Sequence, residues 1–62
     1  MFSPLGQRQV AVLVFVREYR ERHGGRYPSR REIATRFHWR LSVAHIVVAR
    51  LRERNFLVEG IR

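Results

Sequence analysis

Apolar residues recur at helical spacing in three stretches of the chain, and the first stretch predicts a long amphipathic helix over residues 7–23. Leu5, Val12, Val16, Tyr19 and His23 fall on one side of this helix, with Phe15 at the flank. Residues 10–16 are rich in β-branched side chains, which by themselves favour a strand. The helix is the better interpretation because the pattern continues to residue 22 without a turn signal. Gly24 and Gly25 then end it, since glycine takes the left-handed cap conformation without steric penalty.

A second, shorter helix is predicted over residues 30–37 from the signals that precede it. Ser29 and Glu32 have the spacing of a capping box, in which each side chain accepts a hydrogen bond from a free backbone N–H of the new helix. Pro28 keeps the chain before it extended. The residues expected to face inward are Ile33, Ala34 and Phe37.

A third helix is predicted over residues 42–54, after a turn at residues 38–40. Ser42 is its expected N-cap, because a serine side chain can accept a hydrogen bond from the first free N–H groups. The inward residues, at steps of three, one and three, are Ala44, Val47, Val48 and Leu51.

The chain beyond the third helix predicts a very small β element. Asn55 is expected as a left-handed cap, residues 56–59 as a strand, and Gly60 as a turn before a stub at residues 61–62. An extended segment at residues 26–27 is expected to supply one short strand. The predicted fold is therefore mainly α: a three-helix winged helix-turn-helix with a vestigial short β-wing.

Size and composition exclude several classes of function. A single domain covers residues 1–62, which leaves no cleft between domains for catalysis. There is no Cys, no nucleophile–base pair and no Gly-rich phosphate loop, and His23, His38 and His45 lack close ligand spacing. We therefore expect no metal, no cofactor, no small-molecule substrate and no enzymatic activity. The longest apolar run, residues 10–16, is far shorter than the ~20 residues that cross a bilayer. We expect an intracellular protein, cytoplasmic or nucleoid-associated, without a membrane partner.

The charge balance indicates a polyanionic partner. The chain has 13 basic residues, all of them Arg, against 5 acidic ones, which gives a formal net charge of +8. The planar guanidinium group can donate two parallel hydrogen bonds to a phosphate. A helix-turn-helix in so basic a chain points first to nucleic acid.

The order of elements and several motifs resemble the N-terminal DNA-binding domain of LexA-type repressors. The similarity lies in Leu5 with Arg8-Gln9, Pro28-Ser29-Arg30 with Glu32-Ile33-Ala34, Leu51 with Asn55-Phe56-Leu57, and Gly60-Ile61-Arg62. This resemblance implies sequence-specific binding of double-stranded DNA, usually as a dimer, with the third helix in the major groove. The family's self-cleaving protease and dimerisation module have no counterpart in these 62 residues. The wing is nearly absent, the turn before the third helix is shorter, and Asn55 stands where the family usually has glycine.

The residues expected to contact DNA lie on the third helix and the segments before it. Base edges are assigned to Ser42, Val43, His45 and Ile46, and phosphates to Arg30, Arg31, Arg40, Arg50, Arg54 and Arg62. Val43 and Ile46 offer only apolar contact, most usefully to a thymine methyl, so we expect modest base specificity. The alternative interpretation of His45 is an ordinary surface histidine that does not contact DNA. For each Arg, the alternative is a solvated charge without a specific contact. Core packing rather than base stacking is assigned to Tyr27, Phe37 and Trp39.

The first helix carries a second apolar face, which a three-helix domain cannot bury alone. Val10 and Val14 lie roughly opposite Val12 and Val16, with Leu13 at the flank. The hypothesis is that Val10, Leu13 and Val14 contact a second copy, forming a homodimer, or a larger protein partner. The alternative is a tolerated apolar patch.

Two functions compete. The first is a small DNA-binding transcriptional regulator. The second is a winged-helix protein–protein interaction module that acts on a partner such as the transcription machinery. The Arg excess favours the first, and the weak base-reading chemistry favours the second. RNA binding is a third possibility.

Overall fold

The computed structural model describes residues 6–54 and 60–61. The helices are α1 (Gln7–Arg22), α2 (Arg30–Phe37) and α3 (Leu41–Glu53). The predicted mainly α class is confirmed. Residues 26–27, predicted as a short strand, form none, and no strand occurs elsewhere in the described ranges. Leu5, Asn55, Arg62 and the strand predicted at 56–59 lie outside those ranges, so the wing stays a prediction. In the described part, no helix combines the length and apolarity needed to cross a bilayer.

Helix α1 is continuous through its β-branched stretch, because Val12 and Val16 are buried in the core at 0% and 5% exposure. Gly24 and Gly25 follow with φ angles of 63° and 89°, which confirms the predicted left-handed ending. The helix was predicted to include His23, and this is wrong by one residue. His23 comes after the last helical residue with a φ of −119°, and it is exposed, its ring stacked on Tyr19 at 4.0 Å between centroids.

The capping box predicted for α2 is confirmed in atomic detail. The Glu32 N–H donates to Ser29 Oγ at 3.0 Å, and the Ser29 N–H donates to Glu32 Oε1 at 3.5 Å. At the other end His38 takes a left-handed conformation with a φ of 58°, and the Trp39 N–H donates to the Ala34 carbonyl at 2.9 Å. This single left-handed residue turns the chain sharply enough for α3 to pack against α2.

Helix α3 begins before the predicted position. Its N-cap is Arg40, whose carbonyl accepts from the Val43 and Ala44 N–H groups at 3.0 and 3.3 Å. The prediction of Ser42 as N-cap is therefore wrong: Arg40 has the extended backbone of a cap, and Ser42 is already helical. Arg54, predicted to be the last helical residue, is the C-cap.

The hydrophobic core joins all three helices. It consists of Val12, Val16, Ile33, Ala34, Ala44, Val47, Val48, Leu51 and Ile61. All the inward residues predicted for α3 belong to it, and Phe37 packs at its edge. Core packing of Tyr27 and Trp39 is confirmed as well, since both lie against this cluster. Because α3 packs on α1 and α2 through one side, its opposite side is left open.

Candidate nucleic-acid interface

The open side of α3 carries the side chains predicted to approach base edges. Ser42, His45 and Ile46 are exposed there, with Ile46 at 54%. Arg50 is exposed one turn further along. Val43 differs from the others because it is half-buried and packs against the core, so less of its surface is free for a ligand.

A shallow groove brings the start of α2 beside the first turns of α3. Its lining residues are Ser29, Arg30, Arg31, Leu41 and His45. Arg31 is exposed, whereas Arg30 is half-buried. Within the described part of the chain, the buried Nε of Arg30 has no hydrogen-bond partner. Both guanidinium groups belong to the N-terminal turn of a helix, where free N–H groups and the helix dipole favour an anion.

Glu32 lies at the same end of α2 but is engaged elsewhere. A hydrogen bond from the Tyr19 hydroxyl is the main cause that holds the pKa of Glu32 below its usual range, and the Ser29 backbone and side chain add to it. The same interaction raises the pKa of the Tyr19 hydroxyl. Glu32 therefore serves the helix cap, and the charged side chains that line the groove itself are Arg30 and Arg31.

Leu41 is a lining residue that the sequence reasoning missed. It is the first residue of α3 and is 40% exposed. Besides lining the first groove, it lines a second one with Arg31, Thr35 and Trp39. Its sequence signal is a leucine directly after the turn at residues 38–40, one residue before the predicted start of the third helix.

The start of α1 also reaches the open side of α3. A groove there is lined by Gly6, Gln7, Arg8, Gln9, Ile46, Val47 and Arg50. The guanidinium carbon of Arg8 lies 5.6 Å from the centre of the Trp39 ring, so the aromatic side chain holds this cation near α3. Arg8 is therefore a second residue that the sequence reasoning left out of the site. Its position in sequence, far from α3, gave no signal of this proximity.

The remaining predicted cations are spread along α3. Arg40 caps its start, Arg54 caps its end, and both are exposed. With 13 residues between these caps, the two ends are ~20 Å apart. They cannot share one small anion, but this spacing suits separate phosphates along a nucleic-acid backbone.

The predicted partner face of α1 is partly open. Val10 is 43% exposed and Val14 is 51% exposed. Leu13 is half-buried and packs against the core, so it contributes less to a surface than the two valines.

In residues 6–54 and 60–61, no group of three or more His, Asp or Glu side chains is arranged to hold a metal ion. Comparison with protein-family models, with curated proteins and with solved structures gave no significant match. The function is therefore argued from the geometry and charge of the site.

Proposed function

We propose that this chain is a small DNA-binding transcriptional regulator that inserts α3 into the major groove and contacts phosphates through arginine side chains. The observation that carries the proposal is the two-sided character of α3. Ala44, Val48 and Leu51 are fully buried on one side, while the opposite side is open and adjoins the Arg30–Arg31 groove. The major groove of B-DNA is wide enough to admit an α-helix.

Phosphate contact supplies most of the affinity in this proposal. Arg30 and Arg31 flank one edge of α3, and Arg8 and Arg50 share a groove at another. A duplex backbone that passes both edges meets cations on each side of the inserted helix. If about five arginines contact phosphates, the log–log slope of affinity against salt is roughly −4 to −5.

Base recognition is expected to be weak. The exposed residues at the start of α3 include Ser42 and His45, which form single hydrogen bonds, and Ile46 and Leu41, which contact only apolar groups. None provides the paired hydrogen bonds by which Arg reads guanine or Asn reads adenine. The resemblance to LexA-type repressors supports a role in transcription regulation, and this chemistry supports binding with a broad sequence preference.

The test is an electrophoretic mobility shift with random duplex DNA of about 12 base pairs, roughly one helical turn, between about 50 and 200 mM salt. The R30A/R31A double variant should bind more weakly and reduce the salt slope by about 2. The matched control is R17A/R22A, which removes the same charge from exposed positions on α1. No shift of the unaltered protein at low salt rejects DNA binding. Equal losses in the two variants reject the assigned surface.

A second candidate is a protein–protein interaction module. It is favoured by the exposed apolar side chains on α3, Leu41 at 40% and Ile46 at 54%. This alternative predicts that I46E leaves DNA affinity unchanged. In the DNA-binding proposal, the new carboxylate faces the groove and weakens DNA affinity, so one titration separates the two functions.

A further inference from the structure

We infer that the outer face of α1 is the contact surface for a second copy of this chain, packed antiparallel so that Val10 of each copy lies opposite Val14 of the other. This inference rests on the proposed DNA binding, which holds two copies close together. Val12 and Val16 are buried in the core, and Val10 and Val14 project from the opposite side of the same helix. Nothing within the described residues of one copy covers these two valines, as their exposures of 43% and 51% show.

The charges along α1 favour the antiparallel orientation. Helix α1 begins at Gly6 without a side-chain cap and has no acidic residue in its first turn, so the positive end of its dipole is uncompensated. Glu18 and Glu21 are exposed further along the helix, and helical spacing puts them on the side of Val10 and Val14 with one exposed cation, Arg17, so acidic charge predominates there. Glu18 follows Val14 by four residues, and Gly6 precedes Val10 by four. Pairing Val10 with Val14 therefore places Glu18 of one copy at the first turn of the partner's α1.

The arrangement is self-complementary. A two-fold axis makes every contact twice, so four valines form the centre and two Glu18 carboxylates meet the two free helix ends. A parallel pair would instead set the two positive ends side by side and the two Glu18 carboxylates near each other. Coulomb repulsion between like charges disfavours that alternative.

The size of the contact indicates when it forms. With 16 residues, α1 is about 24 Å long, and only two exposed valines per copy lie at the centre of the proposed contact. Such a helix pair buries less than the ~1,200 Å² typical of stable complexes. The contact is therefore weak in free solution. On one DNA molecule, neighbouring copies reach effective concentrations of roughly millimolar, at which a weak contact is occupied.

Because the sequence contains no cysteine, an introduced cysteine can form a disulfide only with another introduced cysteine. In helices packed ~8–10 Å apart, facing Cα atoms come within disulfide range. Isotope-labelled V10C is mixed with unlabelled V14C on random duplex DNA of about 30 base pairs, roughly three helical turns, under mild oxidation. Mass spectrometry then counts mixed and like disulfides. The proposed register predicts an excess of mixed V10C–V14C disulfides over the proportion expected from random pairing.

Two further variants complete the design. R22C, exposed about two helical turns beyond Val14, should cross-link with neither partner. Adding E18R to both cysteine variants should lower the mixed yield at least about threefold, because it places a cation at each positive helix end. A predominance of like disulfides overturns the antiparallel register. A DNA shift without cross-links above the R22C level overturns the contact itself, while loss of the DNA shift in the unaltered protein overturns the proposed function instead.

Discussion

We expect the capping box at the start of α2 to contribute measurably to the stability of this domain. The S29A substitution, which removes the capping side chain, tests this expectation directly. The change deletes Ser29 Oγ, which accepts the Glu32 N–H at 3.0 Å, and removes the hydrogen bond of 3.3 Å that the Ser29 hydroxyl donates to the Glu32 carboxylate. Replacing an N-cap serine by alanine typically costs about 1 kcal/mol. The effect matters here because α2 has only 8 residues, and a helix this short gains little from its own propagation.

The expected loss is a large fraction of the total free energy of unfolding. A chain of 62 residues has a free energy of unfolding on the order of 3–9 kcal/mol. For a domain of this size, each 1 kcal/mol lowers the melting temperature by roughly 4–8 °C. Thermal and urea unfolding followed by circular dichroism therefore resolve the predicted loss.

The matched control is S42A, the same substitution on the neighbouring helix. Ser42 is exposed inside α3 and does not cap it, because Arg40 is the N-cap. Since alanine has the higher helix propensity, S42A should leave stability unchanged or raise it by up to about 0.5 kcal/mol. If S42A destabilises the protein as much as S29A does, the assignment of both helix starts is refuted.

Three further predictions concern stability. The lowered pKa of Glu32 means that folding favours its ionised form. The unaltered protein should therefore be more stable than E32Q above the ordinary pKa of 4.5, and this difference should shrink as the pH falls below 4.5. Urea unfolding at several pH values measures the difference. G60A should be destabilising because a Cβ at Gly60 would overlap the Tyr27 ring, 2.8 Å from its Cγ, and a smaller loss of stability from G60A in the Y27A background than in the unaltered protein would support that cause. I33A should lower the free energy of unfolding by about 2–5 kcal/mol, since Ile33 is 0% exposed. A smaller loss in urea denaturation would show that the side chain of Ile33 is not closely packed in the core.

Much of the fold follows from local sequence rules. The start of α2 depends on two side chains three residues apart, and the end of α1 depends on Gly24 and Gly25. These signals act within one turn of the chain, so the sequence alone locates them. The inward side of α3 follows from periodicity, because Val47 and Leu51 must share the side that packs against α1 and α2.

The errors arise where tertiary packing overrides local preference. Serine is a favoured N-cap residue, so local propensity predicts Ser42 as the cap, whereas the structure has Arg40 there. The structure starts α3 earlier because His38 turns the chain in a left-handed conformation. A histidine is far less typical than glycine at such a position, so the sequence carries only a faint signal for this turn.

Part of the candidate site could likewise be predicted from the sequence, and part of it depends on tertiary packing. Exposure of His45 and Ile46 follows from the periodicity of α3, since both lie off its buried side. The nearness of Arg8 to α3 does not follow from any local pattern, because it depends on how α1 crosses the core. Residues that meet only through the packing of distant helices become visible once the structure is known.

The placement of Trp39 makes its intrinsic fluorescence a reporter of both folding and binding. It is the single tryptophan of the chain, stacked on Phe37 at 4.7 Å and covered by the Arg8 guanidinium. It also lines a groove with Arg31 and Leu41, at the edge of the surface assigned to DNA. Its emission should therefore change when the domain unfolds and, separately, when a polyanion draws Arg8 away from the ring. Folding and ligand binding can both be followed by intrinsic fluorescence, without a label or an added chromophore.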